Sequence, residues 1–395
     1  MNLYLIVFFL LAAGVLAEWR RPEWERWLYP IFWGLLTALL MFRFGQGTDY
    51  VTYHATYLTI PLQVDWSAGY ICGYYPEIGW RLLCAAFKLA GVPFWGFSMV
   101  LGAADMLLLH RFLKKYVPMK VAGLFFSFPV LYVVYLVSGL RQGLAICIFL
   151  GVALPFYLDR RLLPYVVSVL FAASFHKVGY AWLVLVAVGY LPVELMLAGV
   201  GLAAAGGLLL HVDTTKQILI NLMPVYHLKQ FLLEGNVSLF AVGERLVSFG
   251  VIGILYMQKE KREEDRPREQ ILKAYLCGVC FYMLMCGNAY YASRYAVIFK
   301  VLECVLIVWL TEEREKLTKL AALFFFCLTL LMGVKNLQAA AKEGNYLKQE
   351  VNVFTYPYIS VFHMDKINDY YDYTKRLNGK YEILMEDQIP QMTEE

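Results

Sequence analysis

Long apolar runs are the feature that most constrains how this chain can fold. A helix needs about 20 apolar residues to cross the roughly 30 Å hydrocarbon core of a bilayer. The backbone polar groups within that core must be satisfied inside the segment, which favours helices. The sequence therefore predicts an all-α, polytopic membrane protein with roughly 12 transmembrane helices. The predicted spans lie at about 2–17, 27–42, 94–110, 120–138, 140–158, 162–176, 178–191, 193–211, 241–258, 270–288, 295–310 and 318–334.

The composition supports this class and argues against others. Hydrophobic residues make up 60% of the 395-residue chain and charged residues only 17%, whereas soluble domains carry about a quarter charged residues. The net charge of +4 is modest and no long basic run occurs, so we expect no nucleic-acid partner. Cys277 and Cys280 lie inside an apolar run without a nearby His or Asp. We interpret them as reduced membrane cysteines, and we expect no metal site.

The distribution of lysine and arginine predicts the orientation of the spans. About half of the 35 basic residues fall in the loops at 18–26, 111–120, 159–161, 259–273 and 311–319. Cytoplasmic loops carry an excess of basic residues, so we assign these five loops to the cytoplasm. The first apolar run lacks the basic region that opens a signal peptide. We therefore expect an uncleaved first span with its amino end outside.

The stretch 77–92 resembles a further span by its apolar content. Counting it as a crossing would invert every later loop, and it carries Glu77, Arg81 and Lys88 within a short length. An amphipathic helix on the outer surface, or a re-entrant helix, accounts for this pattern better than a crossing does.

Isolated polar residues gather at the predicted outer ends of different helices. The positive-inside bias would remove arginines from this face, so their presence favours a shared anionic ligand. The alternative is that each arginine separately extends toward lipid headgroups. The residues are Arg43 and Asp49 in the first outer loop, Glu77 at the start of 77–92, Arg141 with Gln142 between spans four and five, His176 with Lys177 at the next outer turn, and Arg294 at a later one.

Six short motifs carrying these residues occur in a fixed order along nearly the whole chain. They are RFGQGTDYVTY, PEIGWRLL, GLRQGLA, SFHKVGY, SRYAVIF and a terminal YPYIS. This arrangement resembles the EpsG-like, Wzy-type family of bacterial polysaccharide polymerases, which make O-antigen, capsule or exopolysaccharide.

The resemblance implies a reaction on the outer face of the bacterial cytoplasmic membrane. A glycan held on undecaprenyl pyrophosphate is transferred to a free hydroxyl of a fresh lipid-linked repeat unit, and the lipid pyrophosphate is released. The implied partners are undecaprenyl-pyrophosphate-linked oligosaccharides and the lipid bilayer, with a chain-length regulator as a further candidate. The implied fold is that of lipid-dependent, GT-C-like glycosyltransferases, with no metal or other cofactor.

The pyrophosphate leaving group needs positive charge to stabilise it. Arginine suits this role because its planar guanidinium binds phosphate oxygens through two hydrogen bonds. Arg141 is the first candidate for this role, followed by Arg294 and Arg43, and Gln142 is a candidate neutral donor.

The acceptor hydroxyl needs a base. A histidine with a pKa of about 6.5 is suited to neutral pH, which makes His176 the first candidate. Asp49 is the rival base, and it could instead orient sugar hydroxyls or pair with Arg43.

Other polar residues divide between glycan contacts and structural pairs. Glu77 and the tyrosines Tyr50, Tyr53 and Tyr356 are candidate glycan contacts, although tyrosine is common at membrane interfaces without any ligand. Lys300 and Glu303 are three residues apart in one span, which predicts an internal ion pair on one helical side.

Two regions are predicted from the change in composition near residue 335. Residues 1–334 form a single transmembrane catalytic domain, and 335–395 form a polar, tyrosine-rich, extracytoplasmic tail. We expect this tail to fold back through TYPYIS at 355–360 and to cover the site.

Two other functions fit a polytopic chain of this kind. A flippase or transporter of lipid-linked oligosaccharide would need charged residues at mid-membrane and often internal repeats. A membrane acyltransferase that modifies glycans would also use a histidine, but it would need access to an acyl donor from the cytoplasmic side. The polar residues cluster at one predicted face, which favours the polymerase.

Overall fold

The computed structural model describes residues 2–60, 77–210, 236–259, 265–312, 315–342 and 347–386. Across these ranges the chain is helical, and its only extended pairings are two isolated antiparallel bridges. The principal helices are α1 (Leu3–Arg20), α2 (Glu25–Phe42), α3 (Tyr50–Thr59), α4 (Ile78–Leu89), α5 (Phe94–Tyr116), α6 (Lys120–Ser138), α7 (Leu140–Leu158), α8 (Leu162–Ala173), α9 (Lys177–Val188), α10 (Val193–Leu209), α11 (Leu239–Gln258), α12 (Arg266–Leu284), α13 (Ala289–Val301), α14 (Glu303–Leu310), α15 (Lys316–Ala341) and α16 (Tyr373–Glu386).

The prediction of an all-α, multi-pass membrane protein is confirmed. Among the described residues, six helices are long and apolar enough to cross a bilayer, namely α1, α5, α6, α7, α11 and α15. Helices α8, α9 and α10 are apolar but shorter. The count of roughly 12 spans stays a prediction.

Helix α4 occupies the stretch that we predicted to be a surface or re-entrant helix. It has 12 residues, which extend about 18 Å at 1.5 Å per residue and are too few to cross a bilayer. One face is buried through Trp80, Cys84 and Ala85. At its far end the Lys88 ammonium donates to the carbonyl of Leu58 at 2.7 Å and so ties α4 to the end of α3.

Helix α1 separates two ends of the bundle by about 27 Å, since it has 18 residues. At its first end, Asn2 Nδ2 donates to the carbonyl of Val353 at 2.8 Å. At its last end, the Glu18 carboxylate accepts the backbone N–H groups of Val121 and Ala122 at 3.1 and 2.9 Å. We call these the motif end and the basic-loop end.

The basic-loop end brings together three of the loops assigned to the cytoplasm. Lys120 forms an ion pair with Glu25 at 2.5 Å, which joins the loop at 111–120 to the one at 18–26. Trp19, Met119 and Thr311 line one cavity, so the loop at 311–319 lies in the same layer.

The tail packs on the motif end. The Phe44 N–H donates to the carbonyl of Ile359 at 2.8 Å, and the Tyr358 hydroxyl donates to the carbonyl of Leu39 at 3.1 Å. Further along, α16 lies against α3. Helix α15 continues to Ala341, past the boundary at 334 that we predicted. The TYPYIS segment therefore folds back onto the end of α2.

Candidate active site at the motif end

Four candidate residues lie at or beside helix N-termini at the motif end. Asp49 precedes α3, Glu77 precedes α4, Arg141 is in the first turn of α7, and His176 precedes α9. Unsatisfied backbone N–H groups and the helix dipole make such termini favourable for negative charge. The chain therefore directs several N-terminal helix ends toward one region.

Glu77 and Arg141 form an ion pair that joins α4 to α7. The two side chains are only 5% and 11% exposed. The other carboxylate oxygen of Glu77 accepts the backbone N–H of Lys177 at 3.2 Å, which adds the start of α9 to the same contact. The motifs PEIGWRLL, GLRQGLA and SFHKVGY thus meet at a single carboxylate.

Gln142 links α7 to α13. Its side-chain amide donates to the backbone carbonyl of Arg294 at 2.9 Å. The Arg294 guanidinium lies over the ring of Tyr290, 4.0 Å from its centroid. Gln142 is buried, so its contact holds the backbone that carries Arg294.

Asp49 lies within the electrostatic range of three arginines. Burial raises the pKa of its carboxyl group above the usual value, while Arg294, Arg141 and Arg376 act in the opposite direction. A carboxylate with a raised pKa is a stronger base near neutral pH. The first loop therefore contributes a carboxylate to the cluster formed by the other motifs.

His176 lies in an environment that favours its neutral form. Burial, together with the positive charges of Arg141, Arg294 and Lys177, lowers its pKa to about 3. Its Nδ1 accepts the backbone N–H of Val178 at 3.3 Å, which leaves the proton of the neutral ring on Nε2. The ring therefore offers a hydrogen-bond donor at Nε2.

Tyr53 lies against Arg141 on the inner side of α3. Burial raises the pKa of its hydroxyl to about 12, and the neighbouring Arg141 opposes that shift. Its ring is 5.6 Å from that of Trp80. Tyr53 is thus in the same cluster as the charged residues.

Arg43 lies next to the cluster, and Tyr356 lines a cavity beside Gly47 and Val51. Arg43 is 1% exposed, and its guanidinium donates to the backbone carbonyls of Leu40, Leu136 and Val137. The guanidinium that we predicted as a third anion contact is therefore engaged with backbone carbonyls in this structure. Tyr356 is buried, with its ring stacked on that of Tyr4 at 6.2 Å.

Two motif glycines allow segments to approach closely around the site. Gly47 has a φ of +108°, and a Cβ atom there would come within 2.5 Å of the Val137 carbonyl oxygen. A Cβ atom on Gly79 would come within 2.2 Å of Ser174 Oγ. The GTDY loop and the start of α4 therefore need glycine at these positions.

The structure adds residues that the sequence did not indicate. Arg376, in α16, lines a cavity together with Gly47 and Val51, which flank Asp49. No motif surrounds it, so no sequence signal pointed to it. Within the bundle, the predicted contact of Lys300 with Glu303 is present at 2.6 Å, and Glu244 is a third partner that we did not expect.

In the part of the chain that the structure describes, no group of three or more His, Cys, Asp or Glu residues could hold a metal ion. The charged cluster at the motif end consists mainly of arginines and carboxylates.

A comparison with models of protein families identifies the family of this chain. A model of the EpsG family matches residues 26–360. The chain belongs to the EpsG family. All six motifs lie within the matched segment, so the resemblance that they indicated is confirmed. Membership of the EpsG family indicates a polysaccharide polymerase of the glycosyltransferase type.

The other two comparisons add no relative. Neither the curated proteins nor the solved structures gave a match to this EpsG-family chain. Arg376 and the rest of α16 lie beyond the segment that the family model covers.

Proposed function

We propose that this EpsG-family protein polymerises undecaprenyl-pyrophosphate-linked oligosaccharide repeat units at the outer face of the bacterial cytoplasmic membrane. The acceptor hydroxyl attacks the anomeric carbon of the donor glycan. A new glycosidic C–O bond forms, the bond from that carbon to the pyrophosphate oxygen breaks, and the pyrophosphate leaves with the electron pair. The proton of the hydroxyl passes to a base.

The convergence of Arg141, Arg294 and Asp49 at one end of the bundle carries this proposal. The pKa of Asp49 responds to both arginines, although the three residues come from different motifs. Guanidinium groups near helix N-termini can stabilise the charge that develops on a leaving pyrophosphate. Arg141 is oriented by Glu77, and the backbone of Arg294 is held by Gln142.

Asp49 acts as the base in this scheme. Its raised pKa suits proton abstraction from a sugar hydroxyl. His176 donates from Nε2 to an oxygen of the substrate, because its Nδ1 is occupied by the N–H of Val178. Tyr53 lies in the same cluster as a candidate glycan contact, and Glu77 acts through Arg141, because both of its carboxylate oxygens are already engaged.

The outer-face location is supported by the separation of the two ends of the bundle. Three of the loops rich in lysine and arginine meet at the basic-loop end, around Glu25, Lys120 and Thr311. The positive-inside bias assigns that end to the cytoplasm. The motif end, about 27 Å away along α1, then faces outside.

A flippase for the same lipid-linked sugars is the second candidate. The observation that favours it is the buried cluster of Glu244, Lys300 and Glu303 between α11, α13 and α14. Charges inside a membrane bundle often mark a transport path. In this cluster each carboxylate contacts the lysine, so a structural role accounts for it as well.

The deciding experiment measures polysaccharide length by gel ladder in the native host. The gene is deleted and then restored as wild type, Arg141→Ala, Arg141→Lys or Arg111→Ala. Arg111 is an exposed arginine near the end of α5, at the basic-loop end, and serves as the matched control. Membrane levels of each variant are measured alongside.

For a polymerase, deletion leaves single lipid-linked repeats exposed outside the membrane. Arg111→Ala restores the ladder, Arg141→Ala does not, and Arg141→Lys restores little because lysine lacks the bidentate fork. If the repeats instead accumulate on the cytoplasmic side, the protein is a flippase and the proposal is wrong.

A further inference from the structure

We infer that Arg376, carried by the C-terminal helix α16, is a further anion-binding residue of the active site. It would contact the pyrophosphate group of the lipid-linked substrate together with Arg141 and Arg294. This inference rests on the proposed function. It assigns to the tail a direct contact with substrate. The EpsG family model covers residues 26–360, so Arg376 lies outside the matched segment.

The first argument is the position of Arg376. It lines one cavity with Gly45, Gly47 and Val51, and the last two of these flank Asp49 in the chain. It is also close enough to Asp49 to act on the pKa of that carboxyl group, as Arg141 and Arg294 do. A residue from the tail therefore reaches the same carboxylate as two residues from the transmembrane helices.

The second argument is that α16 is fixed in place by its first turn. Tyr373 is 5% exposed, and its hydroxyl contacts His54 Nδ1 on α3 at 2.9 Å. The Tyr373 ring also lies 5.4 Å from that of Phe44. Residues three apart share one side of a helix, so anchoring Tyr373 directs Arg376 toward the GTDY loop.

The third argument is the charge at the site. Among the described residues of the cluster, Arg141, Arg294 and Arg376 act on Asp49, and Arg141 also pairs with Glu77. A third carboxylate, Asp372, lines the cavity beside Arg376, but it pairs with Lys348 at 3.3 Å. Positive charge is therefore in excess where the region is partly buried. A pyrophosphate diester, which carries two negative charges, would balance that excess and accept hydrogen bonds from several guanidinium groups.

The test measures binding of inorganic pyrophosphate to the detergent-solubilised full-length protein by calorimetry. The variants are Arg376→Ala, Arg376→Lys and Arg141→Ala, with Lys375→Ala as the control. Lys375 is the exposed neighbour of Arg376 on the same helix, so its substitution removes one charge without altering the cavity. Limited proteolysis of the tail shows whether α16 remains docked in each variant.

We expect Arg376→Ala to weaken pyrophosphate binding about tenfold, as loss of one charge-assisted contact would. Arg376→Lys should restore part of the affinity with the tail docked, and Lys375→Ala should bind like the wild type. If Arg376→Ala and Arg376→Lys both bind like the wild type while Arg141→Ala loses binding, the role of Arg376 is wrong and the proposed function stands. If Arg141→Ala also binds like the wild type, or if the wild type does not bind, the anion site itself is wrong and this inference falls with it.

Discussion

The Glu77 carboxylate pairs with the Arg141 guanidinium across the N-terminal ends of α4 and α7. Both side chains are nearly buried, and the same carboxylate accepts the N–H of Lys177. Glu77 therefore sets the position of the arginine that the proposed chemistry depends on most.

Substitution of Glu77 should lower both stability and polymer formation. Removing one partner of a buried ion pair costs about 3–5 kcal/mol, so Glu77→Ala should lower the thermal midpoint and shorten or abolish the ladder. Glu77→Gln should be milder because its amide oxygen can still accept the N–H of Lys177. The control is Glu23→Gln, since Glu23 forms an exposed pair with Arg21 at 3.6 Å and such pairs contribute little. A Glu77→Ala protein with wild-type midpoint and ladder would show that the pair is dispensable.

Asp49 and His176 should differ in their effect on the pH profile of glycosyl transfer. Asp49→Asn removes the proposed base, so transfer should be lost at every pH. His176→Gln keeps a hydrogen-bond donor, so it should retain part of the activity and the acid limb of the kcat/KM profile. The rates are measured with purified lipid-linked repeats. If instead His176→Gln abolishes transfer and Asp49→Asn retains it, the histidine is the base.

His54 should make the folded state less stable in mild acid. Burial lowers the pKa of His54 to about 4, whereas an unfolded histidine titrates near 6.5. The unfolded state therefore binds a proton first, and stability declines as the pH falls from about 6.5 toward 4. At pH 5 the loss from this group is about 2 kcal/mol relative to pH 7.5.

The effect of His54 is read from unfolding midpoints of the wild type and His54→Gln between pH 5 and 8. His176 has a lowered pKa as well and contributes with the same sign, so the comparison uses the difference between the two proteins. The variant should lose less stability on acidification. Equal losses in both proteins would exclude His54 as a source of the pH dependence.

Lys300 should be required for stability because it serves two buried carboxylates, those of Glu244 and Glu303. Lys300→Met leaves both without their cation and should cost about 3–5 kcal/mol. Lys316→Met, at an exposed lysine at the start of α15, should change stability by less than about 0.5 kcal/mol. Thermal unfolding in detergent measures both. If Lys300→Met unfolds at the same midpoint as the wild type, the cluster adds no net stability.

The sequence predicted which motifs would meet because the orientation of the spans limits which helix ends can lie on the same side of the membrane. Once the basic loops are assigned to one side, Asp49, Glu77, Arg141 and His176 are all restricted to the opposite layer, which limits the side chains that can meet there. Lys300 and Glu303 were predictable from their spacing alone. Their third partner, Glu244, was not, because it depends on how α11 packs beside α13.

Arg43 and Arg376 show where sequence reasoning stopped. Arg43 and Arg141 look alike in sequence, since each is a lone arginine at a predicted outer turn. What separates them is tertiary: the carbonyls of Leu136 and Val137 come within reach of Arg43, and a carboxylate comes within reach of Arg141. Arg376 lies after the last motif, in a part of the tail without apolar periodicity, so only the packing of α16 on α3 reveals its position.

The Arg43 guanidinium also limits how a bulky glycan can enter. It donates to the carbonyls of Leu136 and Val137 near the end of α6 and to the carbonyl of Leu40 near the end of α2, so it bridges the two helices directly. Separating these two helices would break the two hydrogen bonds from Arg43 to Leu136 and Val137 and leave part of a buried cation without partners, which is costly. The side of the site formed by α2 and α6 is therefore rigid, and we expect a lipid-linked chain to enter between other helices.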